Sequence, residues 1–216
     1  MNYAPLSAEW NLDKKRFKSK NNGDNIHGVK KDINEIELLI NEASDFNRGE
    51  NLSVSSRFEL GLSIKEIMSD LLVIFPDVNF QLNIQPAHTH IHQDKMQTRR
   101  IFQNIMQNSC KYGRNQILIS IKFAQNMLII NIEDNGLGIS DENKISVFSP
   151  FIRLDTSRNK KTGGLGLGLA IVKHNCDIAN FPFLLKDSEM GGVNFEVHIP
   201  LDMSMCWLYI KLKIYI

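Results

Sequence analysis

Asn104, Asn108 and Lys111 recur at helical spacing within the segment RRIFQNIMQNSCKY, residues 99–112. That spacing places them on one helix face, beside an apolar stripe of Ile101, Phe102, Ile105 and Met106. A carboxamide oxygen is a reasonable hard ligand for Mg²⁺, and a lysine one turn away can neutralise phosphate. On this helix alone, a solvated polar face explains the pattern at least as well. A second segment, IEDNGLGI (132–139), follows a run that alternates as a strand. Gly136 and Gly138 allow a sharp turn and a close approach of ligand to backbone. Asp134, at the strand end, can accept a hydrogen bond from an exocyclic amine such as that of adenine. Taken singly, this D-x-G-x-G is also an ordinary turn.

The third segment is GGLGLGLAIVK (163–173). Its glycines free the backbone amides that open the following helix, and a helix start of that kind holds phosphate well. A dinucleotide fingerprint would need a strand before it and an acid further on. Here the preceding stretch, PFIRLDTSRNKK (150–161), is a polar, basic loop. It suits a lid over phosphates, and residues 140 to 163 are expected to order when nucleotide binds.

These segments must be positioned by the elements around them. Pro5 to Lys20 and Ile33 to Arg48 read as two helices joined by the break Asn21-Asn22-Gly23-Asp24, an antiparallel hairpin whose apolar face calls for a dimer partner. From Asn51 onward the pattern changes. Phe58 to Leu60 reads as a short strand, and Ser63 can cap a helix reaching Phe75. Phe80–Ile84 and Thr89–His92 alternate as strands, and Asp94 opens a long helix through Tyr112. Ile117–Phe123 and Met127–Ile132 form a strand pair turning around Ala124 to Asn126. A helix from about Gly166 to Ala179 and strands at Phe183–Leu185 and Val193–Ile199 complete the pattern. Such alternation implies an α+β fold, a two-layer α/β sandwich with helices on one face of a mixed sheet.

Bulk composition narrows the class. The chain has 216 residues, with 25 basic against 24 acidic side chains, so no global basic field points to nucleic acid. Its three cysteines, Cys110, Cys176 and Cys206, form no CxxC pair, and a reducing cytoplasmic setting fits. No apolar run approaches the ~20 residues that span a bilayer, which leaves open an anchor elsewhere in a parent protein. His88, His90 and His92 alternate on one strand face without a further metal ligand in view.

Taken in order, the segments resemble the ATP-binding module of bacterial sensor histidine kinases, related to gyrase and a heat-shock chaperone ATPase. The helix is similar to the N box, IEDNGLGI to the G1 box, FSPF (148–151) to the F box, and GGLGLGLAIVK to the G2 box; GGVNFEVHIPL (191–201) resembles the usual ending. The resemblance implies a Bergerat-type ATP-binding fold over residues 50–201. Residues 1–49 resemble the dimerisation and phosphoacceptor hairpin, and 202–216 form an apolar tail of no assigned role.

The resemblance also implies roles. Asn108 would bind the Mg²⁺ that bridges the triphosphate of ATP, with Asn104 supporting it and Lys111 contacting phosphate. Tyr112 would lie against the nucleotide, and Asp134 would hold the adenine amino group. Gly136 and Gly138 would shape the adenine pocket, with Ile139 as a wall. Arg153 would stabilise the transferring phosphoryl group, and Gly164-Leu165-Gly166-Leu167-Gly168 would cradle the phosphates. Asn194, in place of a usual threonine, would keep a polar contact to adenine, and Asn180 would supply a left-handed cap. The acceptor histidine would lie immediately before Met1, with Ala4 at a position linked to phosphatase activity. The implied partners are a response-regulator receiver domain and a second copy of the chain through the hairpin. A non-catalytic nucleotide-binding, dimerising module is the alternative, with a gyrase- or chaperone-like ATPase third.

Overall fold

The computed structural model describes residues 54–85, 89–124, 126–154 and 165–201. The helical hairpin expected within 1–49, the tail 202–216, His88, Gly163 and Gly164 lie outside the described residues.

Strand β1 (Ser55–Glu59) runs straight into helix α1 (Leu60–Ile74). The helix is amphipathic, burying Leu60, Ile64, Ile67 and Leu71 at three- and four-residue spacing. Its cap is Glu59, not Ser63. The Glu59 carboxylate accepts from the Gly61 and Leu62 amides and also from the Thr89 N–H (3.1 Å) and hydroxyl (2.7 Å). A longer acidic side chain reaches the first free amides from the strand end, so the helix starts one turn early and Ser63 is buried inside it.

Strands β2 (Asn79–Gln85) and β3 (His90–Asp94) come next, and β3 pairs with β1 as a separate antiparallel ribbon. Asp94 then caps α2 (Lys95–Tyr112), its carboxylate accepting from Gln97 N at 2.9 Å. Thr98, Ile101, Phe102, Ile105, Met106, Ser109 and Cys110 form the buried face of this helix. Strands β4 (Gln116–Ala124) and β5 (Met127–Asp134) make a hairpin in which Asn126 takes φ 63°, a left-handed turn that asparagine tolerates. Helix α3 (Gly168–Ala179), β6 (Phe183–Asp187) and β7 (Val193–Pro200) follow. The helix begins two residues later than its sequence suggests, because Gly166 has φ 74° and cannot continue a right-handed turn. At the other end Asn180 adopts φ 53° as a left-handed cap.

The main sheet has the order β2-β4-β5-β7-β6, with β2 parallel to β4 and the other pairs antiparallel. Alternation decides its two faces. Ile117, Ile119, Ile121, Leu128, Ile130, Ile132, Phe195, Val197 and Ile199 point to the helices and form one core with Ile64, Ile67, Ile105 and Val172. Truncating a fully buried member such as Ile105 would cost about 2–5 kcal/mol. The opposite face carries Asn131, Glu133, Asn194, Glu196 and His198, which sit beside one another in register. There Glu196 bonds both Lys186 and His198 at 2.8 Å. The mixed two-layer sandwich is the architecture the sequence pattern implies.

Candidate functional site

The residues DNG at the end of β5 divide their work three ways. Asp134 is buried (3% exposed) and turns inward, the strand alternation having put it on the helix side. Its Oδ1 accepts from Gly136 N at 2.9 Å and from Val193 N at 3.3 Å. Asn135 points the other way, and its Oδ1 accepts from the amides of Arg114, Asn115 and Gln116 at 3.1–3.2 Å. It thereby ties the exit of α2 to the exit of β5. Gly136 passes so close to the Tyr112 carbonyl that an added Cβ would lie 2.6 Å from it, and 3.0 Å from Asp134 Oδ1. Gly192 is as tightly placed: its N–H donates to the Asp134 carbonyl (3.1 Å), and a Cβ there would collide with the Asp134 carboxylate.

Burial pushes the Asp134 carboxyl above the usual carboxylate range, and the Gly136 and Val193 amides and the nearby Ser109 hydroxyl partly offset it. A buried acceptor with little solvent around it suits a neutral amine donor rather than a free cation in water.

Asp134 borders a cavity of about 230 Å³. Asn108 and Tyr112 reach it from α2, Gly138 and Ile139 from the loop after β5, and Arg153, Gly166 and Gly168 from the segment leading into α3. Apolar walls come from Val147, Leu154, Leu169, Val193 and Phe195, none of which carries a role in the motifs. Mixed apolar walls with a few convergent polar groups are the usual composition of a small-molecule site. At the start of α3 no side chain caps the first turn. The Asn108 carboxamide packs against that start, since a Cβ on Gly168 would lie 3.5 Å from its Nδ2 and 3.3 Å from Asn104 Oδ1.

The remaining predicted residues are distributed around this cavity rather than in it. Gly136 sits behind Asp134. Asn104 flanks Gly168 while its Nδ2 donates to the Arg100 carbonyl at 2.9 Å. Lys111, Leu165 and Leu167 are not among the lining residues, and Leu167 is buried in the turn before α3. Asn194 requires correction. It lies on the far face of β7, where its Nδ2 donates to Asn131 Oδ1 at 3.1 Å. Strand alternation gives the cavity its neighbour Val193 instead, and the period of two could have identified that residue.

The stretch from 140 onward is not uniformly loose, as a simple lid would require. Val147 is buried, Phe148 meets Phe183 edge-on at 5.1 Å, and Lys144 bridges Asp141 and Asp187 at 2.7 and 2.8 Å. Its anchored part therefore extends at least to Phe148. Beyond it Phe151, at φ 65°, donates its N–H to the Gly166 carbonyl at 3.0 Å.

Among the described residues no helix is long and apolar enough to cross a membrane, and no group of three or more His, Cys, Asp or Glu could hold a metal.

Residues 93–203 match the model of the histidine kinase-, DNA gyrase B- and HSP90-like ATPase family, just over half of the chain. The sensor protein RstB of Escherichia coli K12 is 32% identical over 177 residues, covering 80% of this chain and 41% of RstB. The sensor histidine kinase CpxA of the same organism is 24% identical over 180 residues, covering 82% of this chain and 39% of CpxA. The chain thus spans about two-fifths of the length of these curated relatives. In fold it is similar to the Acinetobacter baumannii histidine kinase AdeS (TM-score 0.67, 17% identity, 85% of this chain and 87% of that one). It is also similar to the histidine kinase domain of the E. coli osmosensor EnvZ (TM-score 0.53, 26% identity, 72% and 93%).

Proposed function

Because this chain belongs to the histidine kinase-, DNA gyrase B- and HSP90-like ATPase family, with sensor kinases as its curated relatives, we propose that it binds ATP with Mg²⁺ for phosphoryl transfer to a protein histidine. The observation that carries this reading is one cavity bordered both by a buried carboxylate and by a carboxamide at an uncapped, glycine-opened helix start. Asp134 would accept from the adenine amino group, with Ile139 and Val193 against the ring. Tyr112, half exposed at the cavity edge, would close over the nucleotide. The amides around Gly166 and Gly168 would receive phosphate oxygens, helped by the helix dipole.

A single neutral oxygen donor does not hold Mg²⁺ alone, yet it fits a metal that arrives on a triphosphate and keeps its waters. Asn108 would be that donor, with Asn104 beside it. Mg²⁺ would neutralise charge on the phosphates during transfer. Arg153, at the cavity mouth, would stabilise charge on the moving phosphoryl group through its planar fork. Asn104 is a carboxamide and cannot take a proton from water at neutral pH, which favours a protein acceptor over hydrolysis. Relay to a response-regulator receiver domain, dimerisation through residues 1–49, and an assignment of 50–201 as the catalytic unit belong to the same proposal.

Calorimetric titration with MgATP tests the site. Binding that weakens when Mg²⁺ is chelated, together with transfer of label from γ-labelled ATP to an added histidine-bearing hairpin, is the expected result. No heat and no protection by ATP would overturn it.

A further inference from the structure

Polar side chains on the helices of this fold commonly bond back to the carbonyl four residues earlier. Ser69 does so to Lys65 (3.0 Å), Asn104 to Arg100 (2.9 Å) and Asn175 to Ile171 (2.8 Å). Ser109 does not. It is 2% exposed, on the inner face of α2 next to Asn108, and its hydroxyl has no hydrogen-bond partner among the described residues. Its backbone carbonyl is taken by Gly113 N at 2.9 Å. A Cβ on Gly113 would stand 3.1 Å from Asp134 Cβ, so this last turn of α2 presses directly on the Asp134 side chain. The Ser109 hydroxyl is also close enough to favour the charged form of that carboxylate.

We propose that Ser109 is a positioning residue for Asp134: its hydroxyl donates to the carboxylate from the helix side when an amine-bearing base docks. Oδ1 is held from the strand side by Gly136 and Val193, which leaves rotation of the remaining oxygen to be fixed from α2. A donor on α2, one residue beyond Asn108, would set that rotation and link the base end of the cavity to the phosphate end through a single helical turn. A buried hydroxyl without a partner is unfavourable in the free protein, and alanine would fill the same space without that cost. The serine is therefore explained by what it does to the bound state. This inference rests on the adenine reading of the cavity given above.

The test compares ATP with purine riboside triphosphate, which lacks only the amino group, in wild type and in Ser109→Ala. Wild type should prefer ATP by about tenfold or more, as expected when a charged acceptor loses its donor. Ser109→Ala should lose most of that preference through weaker ATP binding alone. It should bind the purine analogue as before and melt no lower than wild type. Ser109→Thr, which keeps the hydroxyl, should keep the preference. An unchanged preference in a folded Ser109→Ala protein, or an equal loss for both nucleotides, would overturn the role of Ser109 while leaving the cavity assignment standing. Absence of any preference in wild type would overturn the adenine reading, and this inference with it.

Discussion

The Val193 N–H donates to Asp134 Oδ1 across 3.3 Å, from the first residue of β7 to the last residue of β5. Two neighbouring strands thus share a hydrogen bond to a side chain where their ladder ends. The carboxylate is fixed by backbone on two sides, which makes its own replacement informative.

Asp134→Asn should weaken ATP binding by about tenfold or more, because an amide presents a donor where the base also presents one. The free protein should behave in the opposite sense. Burial raises the Asp134 carboxyl above its unfolded value, so its ionisation opposes folding once the pH exceeds that value. The opposition reaches its full extent above the folded value and is relieved as pH falls back through it. The variant should therefore melt no lower than wild type at pH 7. Thermal melts and calorimetry on the same samples check both halves, and a less stable variant with full ATP affinity would contradict them.

Asn108→Ala should abolish the Mg²⁺-dependent part of nucleotide binding while leaving the circular dichroism spectrum intact. The side chain lines the cavity and packs beside Gly168, outside the main core. Unchanged affinity for MgATP would show that the metal is held elsewhere.

Two glycine substitutions should separate folding from binding. A Cβ on Gly192 would drive into the Asp134 carboxylate and main chain. Gly192→Ala should then cost about 3 kcal/mol or more and lower the melting temperature by roughly 6–12 °C. A Cβ on Gly168 meets only side-chain amides, at 3.3 Å and beyond. Gly168→Ala should fold, yet bind ATP less well, since those amides would have to shift. Equal melting temperatures for the two variants would refute this contrast.

Glu59 should dominate the acid limb of stability for the β1–α1 junction. Burial pulls its carboxyl up, but bonds from Thr89, Leu62 and Gly61 outweigh that and leave it below the ordinary glutamate value. A carboxylate lowered on folding supports the fold above its unfolded value, and the support is lost as pH falls through the folded one. Melting of wild type should decline below about pH 4.5, and Glu59→Gln should be less stable at neutral pH with a shallower decline. Parallel profiles for the two proteins would remove Glu59 from this role.

Much of this site could be read from residue order because the motifs place glycine and carboxylate where strands and helices end. Asp134 lies on the cavity side because β5 alternates, as its apolar residues already indicate. The errors have local causes. Glu59 displaced Ser63 as a cap because Thr89, distant in sequence, holds its carboxylate in place. Asn194 and Val193 exchanged roles because a one-residue shift in a strand reverses the face. Asn135 escaped notice because its partners, Arg114 to Gln116, become neighbours only after β4 and β5 pair. Ser109 left no signal in the sequence at all, since its significance depends on facing Asp134 from a helix that packs there only in the folded chain.

The position of β7 between β5 and β6 has a consequence for how the molecule is made. Ribosomes release the chain from its N-terminus, so α2 and the DNG turn emerge long before Val193 and Phe195 exist. Until those residues leave the exit tunnel, one wall of the cavity and one donor to Asp134 are missing. The sheet meanwhile presents β5 as an open edge, a template for unwanted strand pairing. At ~5–20 residues per second, the roughly sixty residues between Asp134 and Val193 leave that edge bare for several seconds. Nucleotide could then join only after β7 has left the tunnel, and chaperone occupancy during that interval should govern how much of this domain matures.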